Sequence, residues 1–400
     1  MNEKSSSAIV VGGGPAGLVA ATLLAQAGVE ITLLEAGRSF GGRAASVRRK
    51  GFDLNQGPHA LYEGGPAAHR LAEMGIDLPR WNPASVHRSF FVRDGRARRL
   101  PSGPAGLTRW LVGTMRTTPA ELAGLSTREW LQRSVRSEGA RAGAASLVRV
   151  ATFVADHDAL PAEVAAGQVK LAIVPGVRYL RGGWQSLVDA LAAKAQGAGA
   201  VLSTRSPVRG LRQEGGGWSV ELDGGSLRAD AVVLATGGPA EAAALLGEEA
   251  PQAPGPPAEL SVLDLGLERL PRRGRTFATG IDEPAYLSRH SPPDHRDGVL
   301  LSLAGYTAQP RQALEAIADA VQPGWRERLT MERFLPRMTP ITAVPTPAAG
   351  LAGRPAVDRG DGLYLAGDWI GPEGWLVDAA ISSGAAAAAA LVRRAVPAAA

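Results

Sequence analysis

The chain has 400 residues, ordinary hydrophobicity, a formal net charge of +5 and no cysteine. Such a length can bury a large core in two domains or in one elaborate one, and the missing cysteine excludes disulfides, thiolate nucleophiles and cysteine-linked cofactors. The basic clusters Arg48-Arg49-Lys50 and Arg96 to Arg99 have no interleaved aromatic residues, so they read as solvated faces and no nucleic-acid partner is expected.

In chain order, Ala8 to Val11 reads as an apolar strand that enters Gly12-Gly13-Gly14-Pro15-Ala16-Gly17, followed by a helix to Ala27 and a stop at Gly28. The apolar run from Ala8 to Val29 has the hydropathy of a leader or a membrane span. The glycine turn and Pro15 divide it into strand and helix, so a soluble, cytoplasmic protein is expected. In this GxGxxG spacing Gly12 permits the tight turn, Gly14 lets backbone amides approach a pyrophosphate, and Gly17 allows helix and strand to touch. The helix's positive end then faces the phosphates. A second strand, Ile31 to Leu34, ends on Glu35, whose carboxylate is placed to accept ribose hydroxyls.

The next stretch, Gly41-Gly42-Arg43 and then Gly51 through Gly57-Pro58-His59-Ala60-Leu61-Tyr62, suits backbone passing close to a ligand, and Arg43 can pair with a pyrophosphate. From about Trp81 the pattern turns helical. Leu107, Trp110, Leu111 and Met115 share one face, and Ser126 with Glu129 forms a capping box. With Arg109 and Arg116 nearby, that face is a candidate for peripheral membrane contact, against the alternative that it is simply buried. The chain returns at Gly182-Gly183, with a helix from Trp184 to Lys194, a strand over Val201 to Leu211, and a hairpin joining Trp218 to Leu222 with Ala231 to Thr236. Pro251 to Pro257 is a crossover, and Leu260 to Leu267 and Val299 to Leu303 read as strands of a second sheet. Gly362 to Trp369 is strand and glycine turn, and a last helix runs from about Trp375 to Arg393.

These segments together resemble the flavin-containing amine oxidase and phytoene desaturase superfamily, and Asn55 to Tyr62, Gly182 to Leu191 and Gly362 to Gly384 look closest to its phytoene-dehydrogenase-like oxidoreductases. The resemblance implies an α/β fold: a Rossmann-like FAD-binding domain (5–85, 183–250 and 352–396) with an interleaved α+β substrate-binding domain (86–182 and 251–351). It implies bound FAD, held by Gly12, Gly14, Pro15, Ala16, Gly17, Glu35, Gly42, Arg43, Gly57, Pro58, His59, Val208, Thr236, Gly367, Asp368, Trp375 and Leu376. Arg43 would meet the pyrophosphate, Val208 the adenine and Asp368 the ribityl-phosphate end. His59, Trp375, Tyr286 and His290 are the candidate catalytic side chains, and no metal is expected.

A single GxGxxG leaves no built-in nicotinamide site, so substrate oxidation is expected, with oxygen, a quinone or another carrier as acceptor. The leading expectation is desaturation of an apolar or natural-product substrate by hydride transfer to flavin. An amine or amino-acid oxidase is the nearest rival. Trp375 sits where such enzymes place one wall of an aromatic cage, but Met338 to Val357 supplies no second wall and no lysine follows Lys194. A flavin-dependent isomerase or dehydroxylase, and a non-redox lipid-binding escort protein, complete the alternatives.

Overall fold

A computed structural model describes residues 6–83, 89–99, 105–247 and 250–395. Its first layer is a five-stranded parallel sheet in the order 201–203, 30–34, 7–11, 231–234, 363–365, so the first strand of the chain lies at its centre. Val10 pairs with Leu33 on one side and Val233 on the other. Alternation along this strand divides two cores. Ala8 and Val10 pack beneath the helices Pro15–Gln26, Gln185–Gly197 and Val377–Ala395, while Ile9 and Val11 pack against Trp218 and Val220 of a small antiparallel sheet.

That small sheet corrects two expectations. The strand predicted over Val201 to Leu211 is two strands, Val201–Ser203 and Val208–Glu214, because Arg205 takes a left-handed φ of 55° and Pro207 follows. The partner of Gly217–Leu222 is Gly225–Ala229, joined through a tight turn at Asp223-Gly224, whereas Ala231–Leu234 runs in the parallel sheet beside the first strand.

The second large layer is a seven-stranded mixed sheet in the order 329–341, 258–267, 299–306, 285–289, 277–280, 90–93, 96–99. Leu263, Leu265 and Leu301 face the helix Arg311–Val321, and Leu260, Val262 and Tyr306 face a helical lobe formed within 105–173. The Ser126–Glu129 capping box is present at the start of Thr127–Ser134. Leu107 and Trp110 lie inside the lobe's core, so the apolar stripe considered for membrane contact is turned inward. No described helix is long and apolar enough to cross a membrane.

Candidate functional site

The two large layers face each other across a cleft of about 330 Å³. Its floor is made by close backbone approach. A Cβ on Gly12, whose φ is +110°, would lie 2.3 Å from the Ala235 carbonyl oxygen, and one on Gly17 would lie 2.0 Å from that of Gly12. Only hydrogen fits at either position. At Gly14, by contrast, an added Cβ would meet nothing within 4 Å, and the helix that begins at Pro15 has no side-chain cap. Its first-turn amides therefore present unpaired donors to open space, the arrangement that receives phosphate.

Glu35 closes this loop from the second strand, since its carboxylate accepts from the Gly13 amide at 2.8 Å and from the Gly37 amide at 2.7 Å. Opposite it, Arg43 and Asp368 form a two-pronged pair, with Nη2 to Oδ1 at 2.6 Å and Nη1 to Oδ2 at 3.1 Å. Thr342 adds an amide bond at 3.0 Å and a hydroxyl bond at 2.9 Å to the same carboxylate. Burial alone would raise the Asp368 carboxyl, but Arg43 and Thr342 outweigh it and hold it below the usual range. Two residues expected to meet separate parts of one ligand are thus also partners of each other, tying the start of the chain to its end.

Gly12, Gly14, Pro15, Ala16, Glu35, Gly42 and Arg43 all line the cleft, as do Pro58, His59, Thr236, Gly367, Asp368 and Leu376. Gly17 and Gly57 stand just behind it. Gly57, with a φ of +83°, turns its carbonyl to accept a 2.9 Å bond from His59 Nδ1. Burial, with the nearby Arg43 charge, lowers the His59 pKa despite that carbonyl, so the ring is a neutral imidazole at neutral pH.

Four further expected residues lie away from the cleft lining. Val208 opens the first strand of the small sheet. Trp375 is buried behind the wall, where its Nε1 donates to the Thr152 carbonyl at 3.0 Å and the Arg354 guanidinium lies over its ring. The last helix begins at Val377, past Trp375, which fixes the indole in the connecting segment rather than in the cleft. Tyr286 is buried in the sheet, 6.1 Å from the Tyr306 ring and 6.2 Å from Phe153. His290 stacks on Tyr179 at 4.4 Å in a separate cavity.

Several residues escaped sequence reasoning. Phe153, Met338 and Ala380, together with Tyr62 from the segment expected beside a ligand, give the cleft an apolar wall. Asp378, in the first turn of the last helix, accepts from the Ala67 amide at 2.9 Å, and burial pushes its carboxyl up to about 7. Gly384 lets the last helix touch the first, since a Cβ there would lie 2.3 Å from the Ala16 carbonyl oxygen. None carries a motif, because each depends on segments distant in sequence; only the spacing of small residues around Gly384 hinted at a close helix contact.

Residues 15–261 match the family described as flavin containing amine oxidoreductase. The L-amino acid oxidase Cdc18 of Crotalus durissus cumanensis is 35% identical over 95 residues, which are 22% of this chain and 18% of that protein. Coproporphyrinogen III oxidase of Propionibacterium freudenreichii subsp. freudenreichii is 34% identical over 96 residues, 24% of this chain and 18% of that protein. The chain thus matches less than a fifth of the length of these curated relatives. Among solved structures, an oxidoreductase from Methanosarcina mazei superposes with a TM-score of 0.74 at 19% identity, over 95% of this chain and 99% of that one. Cyclohexylamine oxidase from Brevibacterium oxydans IH-35A gives 0.74 at 16% identity, over 98% and 99%. These two share the fold.

Proposed function

The chain belongs to the flavin-containing amine oxidoreductase family and is an FAD-dependent oxidoreductase, and from that premise we propose that it removes two hydrogens from a compact, largely apolar natural-product substrate at a C–C or C–N bond. We propose the chain division 5–85, 183–250 and 352–396 for the cofactor half and 86–182 and 251–351 for the substrate half. Support comes from the sheets, which draw their strands from those segments. FAD, when bound, supplies the two-electron acceptor. The open front of Gly14 and the amides behind it suit its pyrophosphate, Glu35 a ribose, and Asp368 with Arg43 the middle of the dinucleotide.

The observation that carries the substrate reading is the composition of the cleft's far wall. Tyr62, Phe153, Met338, Leu376 and Ala380 are apolar or aromatic, and the one imidazole among them is His59. Both carboxylates of the cleft, Glu35 and Asp368, are already bonded to amides or to Arg43, which leaves little to hold an ammonium group. No lysine lines the cleft. His59, pinned through Nδ1 to Gly57, orients the substrate and takes a proton from it, while the apolar wall excludes water. Electrons leave to oxygen, a quinone or another carrier, in a cytoplasmic setting.

Anaerobic mixing of the purified holoenzyme with isoprenoids, aromatic metabolites and amines tests this reading. Bleaching of the flavin by an isoprenoid or aromatic metabolite is expected. Bleaching by amines alone overturns it.

A further inference from the structure

A second cavity, of about 250 Å³, lies on the other side of the His59 and Trp184 rings, which are 4.9 Å apart and line both spaces. Its walls are aromatic. Tyr179 and His290 stack at 4.4 Å with an interplanar angle of 14°, and Phe52 and His295 sit 5.3 Å apart. The volume suits a flat ring bearing one polar group, since a cavity of roughly 150 Å³ holds benzene alone.

The polar chemistry of this cavity is rich in donors. Trp184 Nε1, His290 Nε2 and His295 Nε2 are buried without a hydrogen-bond partner, although such atoms in native proteins are almost always paired. Burial, together with the nearby His59, pushes His290 down to about 3, so it stays neutral and adds no charge of its own. The charged residues of the lining are Arg48, Arg181 and Asp53; Arg48 meets Asp53 at a loose 3.6 Å, and Arg181 pairs with Asp294 on the outside at 3.0 Å. Each guanidinium thus has a carboxylate partner, and it is the three unpartnered donors, with the loosely held and exposed Arg48 beside them, that favour a carboxylate ligand.

We propose that this cavity is a second ligand site, taking a small planar aromatic carboxylate, walled off from the cofactor cleft by the His59 and Trp184 rings. The ring of the ligand lies among Phe52, Tyr179 and Trp184, and its carboxylate faces the imidazoles and Arg48. Occupancy there is coupled to the cleft through His59, whose ring forms part of both walls.

Binding needs neither substrate nor turnover, so it is measured by calorimetry on the oxidised holoenzyme with 2-naphthoate and with neutral 2-naphthamide. One naphthoate per chain is expected, with at least tenfold weaker binding of the amide and in His290→Phe, which keeps the ring on Tyr179 but removes its nitrogens. Arg48→Gln, a change at an exposed side chain, weakens binding about threefold. Absence of binding, equal affinity in wild type and both variants, or amide bound as tightly as acid overturns the proposal. So does naphthoate that perturbs the flavin spectrum equally in wild type and His290→Phe, because it then sits in the cleft.

Discussion

The parallel sheet and the seven-stranded sheet meet the same cleft with different materials. The parallel sheet offers backbone: Gly12, Gly14 and Gly17 work by having no side chain, and the amides behind them serve as donors. The mixed sheet and its helical lobe offer side chains, with Phe153 and Met338 on the wall and Tyr286 and Trp375 packed behind it. Backbone sites tolerate almost nothing at their glycines, whereas a side-chain wall tolerates replacements of similar volume. The two halves therefore fail in different ways.

Breaking the backbone half has the largest expected effect. Gly17→Val drives a side chain into the Gly12 carbonyl, and we expect loss of bound FAD, with little soluble protein, read from the flavin-to-protein absorbance ratio. Asp368→Ala comes next. It leaves Arg43 and the Thr342 amide without their acceptor, but the Arg43 side chain is 37% exposed, so solvent screening limits the cost to about 1–3 kcal/mol, measured by urea unfolding alongside weakened FAD affinity.

The side-chain half is probed by His59→Asn, which should lower kcat/KM by about a hundredfold or more at unchanged FAD content, the range for a lost general base. Because the imidazole is held below its ordinary value of about 6.5, the acid limb of the wild-type kcat/KM profile should fall below that pH. Trp375→Phe removes the bond to the Thr152 carbonyl and should cost about 1 kcal/mol of stability with turnover almost unchanged. A selective loss of turnover would instead bring the indole into the cleft.

The smallest effect belongs to Asp378. Its folded pKa, about 7, lies above its ordinary value of 3.8, so ionising it opposes folding; that cost is complete above pH 7 and declines steadily as pH falls from 7 towards 3.8. Asp378→Asn should therefore raise Tm by about 2 °C at pH 8, by about half as much at pH 5.5 and hardly at all near pH 4, as followed by thermal melts.

The contrast between backbone and side chains also explains what could be read in advance. Gly12 to Gly17, Glu35, Arg43 and Asp368 were legible because close approach restricts residue type at fixed offsets from a strand end, and all but Gly17, which stands just behind, line the cleft. Trp375 was expected at the cleft from its neighbours in sequence, yet a single reversal of the chain before Val377 points it into the lobe. Met338 and Phe153 were invisible because apolar residues on a buried strand and a helix end look alike whether they face a core or a ligand. The hairpin at Gly217–Ala229 was misplaced for a similar reason, since Ala231–Leu234 is apolar enough to pair with either neighbour.

The centre of the parallel sheet is occupied by a strand made before the sheet's other four, while its last edge, Leu363–Leu365, and the Asp368 that meets Arg43 are made after all of them. On the ribosome the early strand–turn–helix must wait, unclosed, until Asp368 has emerged, and flavin loading cannot be complete before then. A stop codon anywhere between Leu234 and Asp368 would thus cost the cofactor site its keystone while leaving every glycine of its opening motif intact.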